Sequence, residues 1–140
     1  DLYGELYGCQ TLFELSAVMG KAFVQRLRLT GLRLWLSPKK FPLSGPEQRF
    51  LADGKQLDQL LGQRLPGTDY YFGRLNQSEK QALFGSDVLV NSVALMRLGD
   101  LGVLAFASSD PSHFTPHNDT LLLGQLGRLL QLRLPELVRG

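Results

Sequence analysis

Apolar residues crowd the stretch from Ser92 to Asp110, and the pattern predicts a β-hairpin. Gly99-Asp100 reads as a two-residue loop with glycine first, which suits a type II′ turn. That turn sets Leu98 opposite Leu101, Met96 opposite Val103 and Ala94 opposite Ala105 on one side. Leu95 with Leu104 and Val93 with Phe106 then face the other side. Both faces are apolar, so helices are expected to cover both. Beyond Asp110-Pro111, a turn, Thr115-Pro116 predicts the start of a helix, with Thr as cap and Pro at its first position. Leu123, Leu126, Leu130 and Leu134 form its main stripe, and Pro135 is expected to end it. Leu121, Leu122 and Leu129 fall off that stripe and call for a further contact.

The earlier chain is less regular. Residues from about 5 to 22 predict one helix, with Cys9, Leu12, Phe13, Ser16, Ala17 and Gly20 on a small-to-apolar stripe. Leu15, Val18, Met19 and Ala22 lie around the rest. Val24 to Leu36 reads as strand, with Gly31 as a bulge or break. Leu32, Leu34 and Leu36 share one face there, Arg33 and Trp35 the other. The three prolines between Ser37 and Pro46 mark a loop. Asp53 with Gln56 predicts a helix to Leu61, stopped by Gly62. Pro66-Gly67 is a turn, and Asp69 to Gly73 a short aromatic strand. Asn76, with Glu79 three residues on, opens another helix that Gly85 stops. The sum is an α+β domain, an antiparallel sheet with helices on both faces.

Composition narrows the function classes. The 140 residues suit one domain. Fifteen Lys and Arg against 13 Asp and Glu leave a formal charge of +2, which says little about partners. A nucleic-acid partner is not expected, because Asp53, Asp58, Glu79 and Asp87 dilute the field of the arginines and no recognition helix stands out. Leucine is about a fifth of the chain, which calls for a large core or extra helical interfaces. The lone Cys9 excludes an intrachain disulfide and fits a reducing compartment. No apolar run approaches the roughly 18 residues of a membrane helix.

Three stretches carry a family resemblance: Tyr71 to Gly85 (YFGRLNQSEKQALFG), Ser92 to Leu95, and Gly102-Val-Leu-Ala through Ser108-Ser-Asp-Pro-Ser-His-Phe114. They resemble the bacterial GAF-like family catalogued as domain of unknown function 484, over roughly Leu12 to Leu134. The resemblance implies a cytoplasmic protein with a GAF-like sheet and a further helical segment preceding this chain. GAF domains as a class bind small molecules and often dimerise through terminal helices. The Asn-Lys-x-x-x-Phe pattern of their cyclic-nucleotide subset does not occur here, and Cys9 lies away from the pocket position that attaches chromophores.

Candidate chemistry is sparse. A lone thiol has no resolving partner in its own chain, so Cys9 reads as a small buried hydrophobe. His113 and His117 with Asp110 and Asp119 match no standard metal spacing and are explained by turn and helix-start chemistry. No catalytic motif stands out, so a non-enzymatic domain is expected, with no cofactor and no metal. Arg26, Arg28 and Arg33 alternate along the first strands and read as a solvated face. The ligand-binding candidates are Trp35, Tyr70 and Phe72 as aromatic walls with Arg33 beside Trp35. The expectation is a sensory or regulatory domain that binds an unidentified small molecule or partner and forms a homodimer. A pure interaction module with those rings filling a closed pocket is the alternative.

Overall fold

The computed structural model describes residues 1–114 and 116–139, without the side chains of 116–119, 122 and 139. Four antiparallel strands form one sheet in the order β1-β4-β3-β2. They are β1 (Gly31–Leu36), β2 (Tyr70–Gly73), β3 (Ser92–Arg97) and β4 (Gly102–Ser108). Helices α1 (Leu2–Gly8), α2 (Leu12–Met19) and α5 (Pro116–Arg139) cover one face. Helices α3 (Gly54–Arg64) and α4 (Gln77–Phe84) cover the other. The α+β class with helices on both faces is therefore what the chain adopts.

Two apolar cores follow from strand alternation. Leu34, Leu36, Met96, Leu104 and Phe106 face the first layer and meet Leu6, Leu12, Leu15, Met19, Leu126 and Leu130. Trp35, Val93, Leu95, Val103 and Ala105 face the second and meet Leu57, Leu60 and Leu83. Helix α5 lies close against the sheet at Gly127, where an added Cβ would stand 2.9 Å from Met96 Sδ.

Several boundaries differ from expectation. The expected helix over 5–22 is two helices with a break at Cys9–Thr11, because Thr11 Oγ1 accepts the Glu14 N–H and caps a new start. Its buried positions are Leu6, Cys9, Leu12, Leu15, Met19 and Phe23, so Ala17 is exposed and Met19 inside. Val24 to Thr30 is not strand: a wide helical turn spans Gly20–Gln25. Arg28 then takes φ 56°, and the Leu29 N–H closes on the Val24 carbonyl. The expected loop contains a 3₁₀ turn, Gly45–Phe50. Gly62 does not stop α3, which runs to Arg64. Helix α4 is capped as read: Asn76 and Glu79 bond each other's backbone N–H groups, and Gly85 takes φ 75°. Pro135 lies inside α5 rather than ending it. The expected Thr115 cap lies outside the described residues.

The hairpin forms, but its register is one residue from the expected one. Met96 opposes Leu104, Leu95 opposes Ala105 and Ala94 opposes Phe106. The Leu101 N–H bonds the Leu98 carbonyl, while the Leu98 N–H bonds the Gly102 carbonyl. Leu101 is thus an extra residue beside the turn, a bulge that moves every β4 side chain to the other face. Gly102 makes the bulge possible. It has φ 151°, and a Cβ there would come within 2.9 Å of Leu36 Cα.

Candidate functional site

The four residues read as ligand-binding do not meet in one pocket. Arg33 and Trp35 lie on the α3/α4 side of β1, at one edge of the sheet. Tyr70 and Phe72 lie on the opposite face of β2, at the other edge, stacked with centroids 6.2 Å apart. They pack against the first core, and Tyr70 lines a hollow of about 280 Å³ with Arg97 and Arg128, across the sheet from Trp35. Arg26 and Arg28 fall in the turn after the helix, so with Arg33 they do not form a strand face.

Two hollows flank α4 on the Trp35 side. The first holds about 170 Å³ between α3 and α4, over Trp35. Its rim is polar because Gln56, Gln59 and Gln63 recur along one face of α3. These three side chains make no hydrogen bond among the described residues, so their amides are free to bind. Trp35 is only 3% exposed and serves as the floor. The second hollow, about 380 Å³, lies between β1 and the end of α4. Phe84 and Val88 give it apolar walls, and Arg33 and Gln81 its polar groups. Ala82 and Leu83 of α4 line both hollows.

One ion pair fixes the α3/α4 walls. Arg64 donates from Nε to Glu79 Oε2 at 2.9 Å and from Nη2 to Glu79 Oε1 at 2.7 Å. Its guanidinium also stands 5.4 Å from the Tyr71 ring centroid. The Arg64 hydrogen bonds hold the Glu79 carboxyl below its ordinary range, and the same bonds raise Arg64. Glu79 is neutralised within the protein, so the first hollow presents a wall without net charge.

Arg33 is different. Its Nε is buried and has no hydrogen-bond partner among the described residues. Burial pushes the guanidinium below its ordinary value, and the charge of Arg49 pushes the same way. No carboxylate among the described residues pairs with it.

The remaining candidates are structural. Cys9 is buried, its thiol donates to the Glu5 carbonyl at 3.3 Å, and burial raises its pKa. A protonated, enclosed thiol is a poor nucleophile. Asp110 Oδ1 accepts the Ser112 N–H at 2.9 Å, the expected turn, and His113 packs on Phe114. The side chains of His117 and Asp119 lie outside the described residues. Among the described residues no three His, Cys, Asp or Glu side chains cluster as metal ligands, and no helix is long and apolar enough to cross a membrane.

The sheet, its two helical layers and the polar grooves beside α4 define a two-faced α+β domain. Residues 9–139 match the family model described as a protein of unknown function, DUF484, and the chain belongs to that family. It is similar to the uncharacterized protein YigA of Salmonella typhimurium, 36% identical over 117 residues, and to that of Escherichia coli K12, 37% identical over 117 residues. Each match covers 80% of this chain and 48% of the relative, so the chain spans about half the length of the curated relatives it matches.

Sequence reasoning missed Gln56, Gln59, Gln63 and Arg49. The glutamines carried a legible signal, three amides at i, i+3 and i+7 on one helix. Arg49 carried none, because only the fold brings the 3₁₀ turn to the edge of β1.

Proposed function

We propose that this is a non-enzymatic, GAF-like regulatory domain of the cytoplasm that binds a small molecule beside α4 and pairs with a second copy through α1 and α5. The observation that carries the ligand half is the placement of Arg33 and Trp35 on one sheet face, each beside an open hollow. The opposite face has hollows of its own, a small apolar one at Phe23, Phe106 and Phe114 and one of about 280 Å³ at Tyr70, Arg97 and Arg128, but neither takes in Arg33 or Trp35.

The pairing half rests on what α5 leaves outside. Leu121 and Leu132 are 74% and 65% exposed, and Tyr7 of α1 is 54% exposed. Tyr3, Tyr7, Gln125, Arg128 and Leu132 border a groove of about 520 Å³ between the two helices. Leu121, Gln125, Arg128 and Leu132 fall at i, i+4, i+7 and i+11, a spacing that reads alike from either end. Two antiparallel copies therefore set Leu121 of one against Leu132 of the other, the self-complementarity a two-fold interface needs. A ligand that favours one helix arrangement then shifts the population of pairs.

The second reading, an interaction module without ligand, draws on the near-complete burial of Trp35. Emission from Trp35, the single tryptophan, separates the two. A metabolite set is screened by thermal shift and by that emission, with sedimentation velocity in parallel. The regulatory reading expects a dimer and a ligand that moves both Tm and emission. A dimer with no responding metabolite supports the interaction module, and a monomer at high concentration overturns the pairing.

A further inference from the structure

Arginine 33 is half-buried on an edge strand, yet the groups around it do nothing for its charge. The guanidinium has five donors, and its Nε–H points at no acceptor among the described residues. A buried donor left unmade is costly, and an uncompensated charge more so. The charge that acts on it is a second cation, Arg49, which makes the position worse rather than better. Arg49 is itself held in place, its guanidinium 5.0 Å from the Phe13 ring centroid and 5.1 Å from that of Phe50. Neither arginine forms an ion pair among the described residues.

Edge strands do carry charges that block pairing with another chain. That task is served by an exposed charge. It does not account for a buried Nε beside a hollow of about 380 Å³. The hollow adds the rest of a site. Phe84 and Val88 offer an apolar wall, and Gln81 a neutral amide. The wall is tight where it meets the strand, since a Cβ on Gly31 would stand 3.1 Å from Val88 Cγ1 and 3.3 Å from Phe84 Cδ1.

We propose that Arg33, backed by Arg49, receives the carboxylate or phosphate of an organic anion whose apolar part lies against Phe84 and Val88. The inference rests on the ligand-binding reading above and names its ligand class. An oxyanion in the hollow would meet the terminal Nη donors, which have no partner among the described residues, and supply the missing negative charge. A small turn of the side chain would bring the enclosed Nε–H into a paired, parallel contact of the kind guanidinium makes with such groups. The neighbouring glutamine-rimmed hollow lacks a free cation and takes no part in holding the charge.

The test uses the chain itself with three probes: benzoate, inorganic phosphate, and benzamide as the neutral counterpart of benzoate. Sodium chloride at matched ionic strength is the control. Ligand that binds only the folded state raises Tm with concentration. Benzoate and phosphate are expected to raise Tm at tens of millimolar or below, with benzoate the tighter, while benzamide does not. Arg33→Gln should weaken benzoate binding by at least about tenfold, Arg33→Lys by less, and Lys21→Gln, an exposed cation that lines none of these hollows, not at all. Arg33→Met adds a readout of opposite sign to a structural role, since removing an unpaired half-buried charge should raise the Tm of the free protein while abolishing the benzoate response. Equal responses to benzamide and benzoate would overturn the anion assignment and leave the ligand-binding reading standing. No response to either anion, an unchanged benzoate affinity in Arg33→Gln, or a loss of Tm in Arg33→Met would each overturn it as well.

Discussion

Replacing Glu79 by glutamine tests whether α3 and α4 are clamped together or merely adjacent. The carboxylate accepts three hydrogen bonds, two from Arg64 and one from the Asn76 backbone N–H at 2.8 Å. Glutamine keeps the shape and one acceptor, but its NH₂ then faces a guanidinium donor. A net hydrogen bond to a charged group contributes about 1.5–3 kcal/mol, whereas an exposed ion pair contributes about 0.2–1 kcal/mol. The Glu79 side chain is 9% exposed and that of Arg64 27%, which places the pair towards the upper range. We expect Glu79→Gln to cost about 2–3 kcal/mol, and Arg64→Met less, because a freed carboxylate at α4 can rehydrate by a small shift. Urea unfolding of the two single variants and the double variant gives the coupling, expected near 1.5 kcal/mol. The pH dependence supplies a second arm. Glu79 titrates lower in the folded chain, so its contribution is fully present above the unfolded carboxyl value of about 4.3 and fades as pH falls through the depressed folded one. The gap between wild type and Glu79→Gln should therefore narrow on acidification below about pH 4. A coupling under about 0.5 kcal/mol, or a gap that does not change with pH, would show that the groove wall is held by apolar packing alone.

Three further outcomes follow from the same geometry. Gly102→Ala places a Cβ against the Trp35 carbonyl oxygen at φ 151° and should cost more than about 3 kcal/mol in urea unfolding, and native Trp35 emission with wild-type stability would contradict the bulge. Ser92→Ala removes a buried hydroxyl that donates to the Asp110 carbonyl at 2.6 Å, and should lower stability by about 1–2 kcal/mol without changing the slope of ΔG against urea. Leu132→Glu, with Leu132 65% exposed, should give a monomer by sedimentation while leaving monomer stability within about 0.5 kcal/mol, and an unchanged dimer would refute the α5 interface.

What the chain's pattern shows and what it hides have the same physical origin. Capping groups act within a few residues, so Asn76 with Glu79 and Asp53 before α3 are legible without a fold. The β1 faces are legible too, because Leu34 and Leu36 alternate with Arg33 and Trp35, and both cores keep that division. The hairpin is a different case. Every residue from Val93 to Met96 and from Gly102 to Ala107 is buried, so a slip of one residue exchanges apolar for apolar and leaves no mark in the pattern. Only the backbone decides there, through a glycine at the bulge.

The same limit explains the site. Tyr70 and Phe72 look like Trp35 in composition, and β2 and β1 each alternate correctly, but nothing local says that the two strands present these rings to opposite cores. That information resides in the order β1-β4-β3-β2, which separates the strands by two others. Arg33 and Trp35 do share a face, as side chains two residues apart on one strand where period-two alternation suffices, and each lines a hollow of its own. Long-range placement then supplies what the alternation could not: α4 between two hollows, and Arg49 brought to the edge of β1 beside a guanidinium that pairs with no acid among the described residues. A charge held in that state lowers the stability of the fold that carries it. On the proposed reading, an anion at Arg33 supplies the stabilisation that a hydrophobic residue there would supply without one, and the Arg33→Met variant measures that difference directly.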